Sequence, residues 1–218
     1  MQKLTQQELN IMIQEHEEWL KNGEIGIRPN FSHLDLSGLE LKRANLYHSY
    51  FEKSNLQSCN FRYSNLDKAE FRGANLKRAN FKEANLFRAN FYKANMTEVK
   101  VNEYTIFYFQ LCPEEGDFIG YKKAKSNGGT FAIVKLLIPR DARRNSATTY
   151  RCHAEKAKIL EILDENNHII DQATSIYDDQ FVYKSGNWLV EKAFDEDRWH
   201  ETAKGIHFFL SRELARLY

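Results

Sequence analysis

Ala69-Glu70-Phe71-Arg72-Gly73, Ala74-Asn75-Leu76-Lys77-Arg78, Ala79-Asn80-Phe81-Lys82-Glu83 is one five-residue phrase written three times. The register extends both ways, with a large apolar residue at the centre of each five, from Phe31, Leu36, Leu41 and Leu46 through Phe91 and Met96 to Val101. Two residues before most centres stands a small residue (Ala44, Ser54, Cys59, Ala74, Ala84), and between them an Asn recurs (Asn45, Asn55, Asn60, Asn75, Asn85). A period of five fits neither an amphipathic helix, near 3.6, nor a plain strand, at 2. Apolar side chains two apart match a very short strand with both facing inward, after which the chain turns and starts again. Such self-similarity predicts a stacked coil in which each unit buries its apolar face only against its neighbours. The Asn is expected at the corners, where its side chain bonds nearby backbone and tolerates left-handed dihedrals.

From Leu46 to Phe91 the centres alternate strictly between Leu and Phe. In a coil with an even number of sides Phe stacks on Phe, whereas three sides would stack Phe on Leu at every level. Four sides make a coil of about twenty residues. Phe51, Phe71 and Phe91 then form one interior ladder with Phe61 and Phe81 opposite, at the spacing of hydrogen-bonded strands, about 4.8 Å.

The run from Ala69 to Glu83 resembles the pentapeptide-repeat family, whose motif is A-(D/N)-L-x-x. The resemblance implies a right-handed quadrilateral β-helix over residues 25–112. It says little about function, because the motif residues are structural. Some members of the family protect gyrase and are thought to imitate DNA.

Upstream, Thr5-Gln6-Gln7-Glu8 reads as a capping box opening a helix. Leu9, Met12, Ile13, His16, Trp19 and Leu20 share one face of it, and Asn22-Gly23 ends it. A coil has two open ends that must be covered, so residues 1–24 are expected to cap the N-terminal end. The repeat fades after Met96, with Val101, Ile106 and Leu111 keeping the register, and Pro113-Glu114-Glu115-Gly116 marks the boundary of an α+β domain over 113–218. There Phe118–Tyr121 and Phe131–Val134 flank Ser126-Asn127-Gly128-Gly129 as a hairpin. Phe181-Val182-Tyr183 and Trp188-Leu189-Val190 bracket a second hairpin turn. Tyr150 to Leu163 fits strand or helix, a strand is expected near His168–Ala173, another at Gly205–Phe209, and Ser211 caps a final helix. The strings Phe118-Ile119-Gly120-Tyr121-Lys122-Lys123, Val134–Pro139, Ala154–Lys158 and Gly205–Phe209 resemble a module of unknown function that follows pentapeptide repeats in bacteriophage and bacterial proteins. That resemblance implies a phage or prophage origin and carries over no catalytic residue.

The net charge of +1 hides a division of sign. Residues 1–30 are net −2, 31–112 net +4 with 12 basic and 8 acidic groups, and 113–218 net −1. Three cysteines offer neither metal spacing nor an even disulfide framework, and Cys59 falls inside the coil as an inert thiol. No segment reads as a signal peptide or membrane span, so a cytoplasmic protein without membrane partners is expected.

On the coil exterior, residues twenty apart stack. Lys42, Arg62 and Lys82 form one basic ladder, and Lys68 and Arg88 another with His48. Like charges on adjacent strands are mildly unfavourable, about 1 kcal/mol or less per pair in water, so a solvated surface suffices to explain them. The functional reading is a face for nucleic acid or an acidic partner. A DNA-imitating surface needs dense carboxylates, which this net-positive coil lacks. Exposed Tyr47, Phe87 and Tyr92 suit a protein contact better. In the C-terminal domain Arg151, His153 and Glu155 alternate on one strand face and, with His207, line a candidate pocket for an anionic ligand or acid/base chemistry. The bland reading is an exposed sheet face and a core histidine. Asp195, Asp197, His200 and Glu201 match no metal motif and read as an acidic loop. No phosphate loop, nucleophile elbow or cofactor motif occurs, so no catalytic residue, metal or cofactor is assigned. The expected function is a non-enzymatic, phage-type interaction protein that binds and inhibits or modulates a host protein or complex, with homo-oligomerisation open. The alternatives are a ligand-binding or enzymatic C-terminal domain on an inert coil, and nucleic-acid binding through the basic face.

Overall fold

A computed structural model describes residues 1–22 and 26–218. The Gly23 stop signal and the boundary at 24/25 lie outside the described residues. The fold is mainly β, in two compact units: Met1–Phe109 with Ala147–Thr149 and Trp199–Glu201, and Gln110–Ser146 with Tyr150–Arg198 and Thr202–Tyr218. The division is therefore not a single cut in the sequence.

In the first unit the chain returns to itself every 20 residues. Parallel bridges join Asn55 to Asn75, Asn60 to Asn80 and Asn65 to Asn85. Phe31, Phe51, Phe71 and Phe91 stack at 4.9–5.0 Å, Phe61 stacks on Phe81 at 5.0 Å, and the two ladders meet edge to face at 5.9–6.1 Å. Each of these six rings is wholly buried. Cys59 donates to the Leu36 carbonyl at 2.9 Å, and burial pushes its thiol up to about 12, so the inert reading is met.

The Asn side chains do two jobs. Each Oδ1 accepts the backbone N–H two residues on, as Asn75 does from Lys77 at 3.3 Å. The Nδ2 of most of them reaches the coil before, as Asn75 to Asn55 (3.0 Å) and Asn65 to Asn45 (2.9 Å). The left-handed residue, however, is not the Asn. It lies two residues after each centre, at φ +62° for Arg43, +59° for Ser58 and +61° for Arg78, within a turn closed by bonds such as Ala74 N–H to Phe71 O at 2.9 Å. The third residue of such a turn requires positive φ, and glycine occupies it only at Gly38 and Gly73. An L-residue held there costs about 1–2 kcal/mol. Replacing exposed Ser58 by Gly is therefore expected to raise stability by about 1 kcal/mol in chemical denaturation, after the added flexibility of the unfolded chain is offset.

Helix α1, Gln6–Asn22, starts at the expected capping box: Glu8 N–H donates to Thr5 Oγ1 at 3.2 Å and Thr5 N–H to Glu8 Oε2 at 2.8 Å. Its Leu9, Met12 and Ile13 join the core of the coil. Gln6 extends the coil's hydrogen bonding with its own amide, donating to Glu40 O and accepting Glu40 N–H, both at 2.9 Å. At the other end the register slips. Asn80 bridges Lys100 but Asn85 bridges Ile106, an insertion of one residue. Thr105 takes the small inward position, and Ile106 is half exposed rather than a centre. Thr148 and Trp199 belong to this unit: Arg88 N–H donates to Thr148 O at 2.9 Å, and Trp199 packs edge-on to Phe91 at 5.2 Å.

The second unit holds β1 (Phe118–Lys125), β2 (Phe131–Ile138), β3 (Arg144–Ser146), β4 (Cys152–Ala154), β5 (Lys156–Asp164), β6 (Gln172–Thr174), β7 (Val182–Lys184), β8 (Trp188–Val190), β9 (Ile206–Phe208) and α2 (Arg212–Leu217). The sheets run β7-β6-β1-β2-β5-β8 and β3-β4-β9. The β1–β2 hairpin and the Ser211 cap of α2 stand as expected, and Tyr150–Leu163 resolves into strands. The expected strand at His168–Ala173 is displaced to Gln172–Thr174, preceded by a lone bridge between Leu163 and Ile169. The second hairpin is corrected: β7 pairs with β6 and β8 with β5. These strands lie at opposite ends of the pairing order, yet only Ser185, Gly186 and Asn187 separate them. That link reaches about 14 Å at most, whereas six flat strands would hold their edges about 24 Å apart. The sheet must curl until its edges approach.

Candidate functional sites

The basic ladder on the coil is tempered by its neighbours. Arg62 pairs with Glu83 at 3.2 Å and also donates to the Tyr63 hydroxyl at 3.1 Å. Lys42, Arg43 and Arg62 gather around the Tyr63 ring at 5.0–5.8 Å, an aromatic centre the sequence reasoning missed. Lys82 is half-buried above them. On the other side Lys68 donates to the Tyr47 hydroxyl at 2.7 Å, and Arg88 lies 4.7 Å from the Phe87 ring. Burial, with Arg28 and Lys68, holds the His48 imidazole below its ordinary range. Tyr47, Phe87 and Tyr92 are half-buried, which corrects the expectation that they are exposed. Phe87 packs on Phe107 at 4.6 Å and Tyr92 stacks on His200 at 4.0 Å, so their rings already serve contacts within the unit.

The C-terminal candidates divide. His153 and His207 face each other across β4 and β9 and stack at 4.2 Å. Arg151 and His207 line a cavity of about 420 Å³ together with Lys122, Lys123, Tyr177 and Tyr218. His153, only 1% exposed, sits behind His207 rather than in the lining. Glu155 is not part of the cavity. Strand β4 ends at Ala154, and Glu155 instead bonds Arg143 at 2.5 Å, which also holds Glu196 at 2.6 Å. Arg143 consequently keeps the Glu155 carboxyl below the usual carboxylate range. Lys122 and Lys123, the two cations the sequence reasoning passed over, come from β1. Lys122 donates to His207 O at 3.0 Å and Lys123 to Arg216 O at 2.8 Å. Burial, reinforced by Arg151, lowers Lys122 to about 8. Burial also lowers His207, opposed by the Ala203 carbonyl and aided by Lys122 and Arg151. The imidazole is therefore largely neutral at pH 7, bonded through Nε2 to Ala203 O at 2.9 Å.

Asp195 and Asp197 form a local turn, with Asp197 N–H donating to Asp195 Oδ1 at 2.9 Å. No group of three metal-ligating side chains occurs among the described residues. A second cleft of about 590 Å³ lies between β7 and β8, lined by Phe181, Tyr183, Trp188, Leu189 and Val190. Trp188 is 53% and Val190 60% exposed there. No described helix is long and apolar enough to cross a membrane.

Comparison with known proteins matches residues 28–111 to the model of the pentapeptide repeat region and residues 108–215 to that of a family of unknown function (DUF5758). Among solved structures, a pentapeptide repeat protein from the thylakoid lumen of Arabidopsis thaliana is 25% identical, over 35% of this chain and 52% of that one, with a TM-score of 0.34. A pentapeptide repeat protein from the cyanobacterium Cyanothece 51142 is 26% identical, over 34% of this chain and 54% of that one, with a TM-score of 0.22. The chain thus spans about half the length of these structures. No curated protein matches.

Proposed function

We propose that this chain, which carries a pentapeptide repeat region followed by a domain of a family of unknown function, is a non-enzymatic interaction protein of phage type that binds and inhibits or modulates a host protein. The coil is its rigid scaffold, right-handed and quadrilateral; turns every five residues within a twenty-residue return support that cross-section. The observation that carries the reading is the pair of strands β7 and β8. Each is paired on one side only in the sheet order, and together they present Phe181, Val182, Trp188 and Val190 at 39–60% exposure. An unpaired strand edge offers a row of N–H and C=O groups, and apolar side chains beside it suit an extended segment of a partner added as a further strand. The occupant is thus an extended segment of a host protein, and the setting is the host cytoplasm.

The test is affinity purification from a bacterial lysate with three baits: the native chain, Trp188→Asp, and a Lys42→Glu/Arg62→Glu/Lys82→Glu triple variant. A host protein captured by the native chain is expected to be lost with Trp188→Asp and retained by the triple variant. Retention with Trp188→Asp overturns the reading. Loss only with the triple variant, together with salt-sensitive binding, assigns the function to the basic face.

A further inference from the structure

We infer that the cavity lined by Lys122, Lys123, Arg151, His207, Tyr177 and Tyr218 binds a nucleotide-class ligand, its phosphate against the two lysines and its planar ring against the tyrosines. This site goes beyond the interaction reading and stands without it.

The first argument is a contrast with three other lysines of this domain. Lys125 pairs with Asp179 at 2.9 Å, Lys135 with Glu161 and Lys156 with Asp141 at 2.7 Å. Lys122 and Lys123 instead donate to the main-chain carbonyls of His207 and Arg216. A carbonyl satisfies one donor of an ammonium and leaves its charge uncancelled. Two adjacent lysines therefore bring two such charges to the cavity, and no Asp or Glu stands among the described lining residues. Gathering like charges at a partly desolvated site is unfavourable. A phosphate reverses that balance by accepting charge-assisted hydrogen bonds from several donors at once.

The second argument is the aromatic lining. Tyr218 stacks on buried Phe209 at 4.7 Å, and Tyr177 stands at the rim 81% exposed. Tyr218 is thus held by Phe209, with the Arg151 guanidinium 6.0 Å from its ring, and Tyr177 offers an open face to a flat ring. The volume of about 420 Å³ falls within the range of small-molecule sites, roughly 300–1,000 Å³. Neutral His207 contributes polarity without further charge.

Lys122 gives the site a pH signature. Its lowered value near 8 means that the free protein loses this proton in the mildly alkaline range, while a bound phosphate favours the charged form. Affinity therefore falls as pH rises through the Lys122 value, by about tenfold between pH 7 and 9.

The experiment is calorimetric titration of the full chain with AMP, GMP, CMP and UMP, with inorganic phosphate and adenosine as the separate halves. At least one nucleotide is expected to bind about tenfold or more tighter than phosphate or adenosine. Lys122→Met is expected to weaken that binding about tenfold and to flatten its pH dependence. Tyr177→Ala, at the exposed rim, should weaken it about fivefold, and Lys123→Gln serves if Lys122→Met does not fold. Failure of all four nucleotides to exceed phosphate overturns the inference. So does affinity that Tyr177→Ala and the folded lysine variant both leave unchanged. Lys122 lines both this cavity and the cleft beside Trp188, whereas Tyr177 lines only this cavity and Trp188 only the cleft, so Tyr177→Ala and Trp188→Asp keep loss of nucleotide binding and loss of the partner as separate outcomes.

Discussion

Phe71→Ala is expected to lower stability by about 3–5 kcal/mol, the range for truncating a wholly buried aromatic side chain. The ring lies mid-ladder, stacked at 4.9 Å on Phe51 and 5.0 Å on Phe91, and touched edge-on by Phe61 and Phe81. Each aromatic pair adds about 0.5–1.5 kcal/mol beyond area burial, so losing four contacts places this site at the upper end. Coil spacing is held by backbone bonds such as Leu56 N–H to Asn75 O at 2.8 Å, so neighbouring rings cannot close the gap cheaply. Urea denaturation followed by far-ultraviolet dichroism measures the loss. The same truncation at Phe31, next to α1 and stacked on Phe51 alone within its ladder, should cost less. Equal losses at the two positions would mean that the ladder contributes no more than burial.

Gly120→Ala is expected to destabilise the C-terminal unit by about 1–3 kcal/mol, for a reason of space rather than cavity. A Cβ on Gly120 would stand 2.5 Å from Phe208 Cδ2 and 3.0–3.1 Å from two further ring atoms. Phe208 is fully buried on β9, among Val134, Leu136 and Ile159, and has no open direction to retreat. Hydrogen exchange at the β1 and β2 amides should accelerate, while amides of the coil keep their protection. A second change, Phe208→Leu, should restore part of the loss in the Gly120→Ala background. A Gly120→Ala protein as stable as the native chain would show that the ring adapts.

The coil was legible because its contacts are local in repeat space. Phe51 meets Phe71, and both positions announce themselves by a fixed interval. The Leu/Phe alternation carried enough information to place both ladders. The turn conformation was not legible, because Arg43, Ser58 and Arg78 share no side-chain chemistry, and their positive φ is imposed by the rungs on either side. In the last hundred residues the turn at Ser185–Asn187 was readable, but its strands pair with β6 and β5, which no local pattern announces. The cavity was half visible. Arg151 and His207 were named from the sequence, whereas Lys122 meets the His207 carbonyl across 85 residues of chain. Glu155 was misassigned because alternation was extended one residue past the end of β4, at Ala154.

The side-chain amides of the coil also carry a direction. Asn95 donates to Asn75, Asn75 to Asn55, and Asn55 to Asp35, each bond pointing towards the N-terminal end. Asn60 likewise ends on Glu40, and Asn90 on Glu70. An amide both gives and receives and can stand anywhere along such a line; a carboxylate only receives and can stand only last. The Asp-for-Asn interchange tolerated by a D/N motif is thus not free here. The carboxylate acts as punctuation: Asp35→Asn would leave the sentence open, whereas Asn75→Asp would end it in the middle.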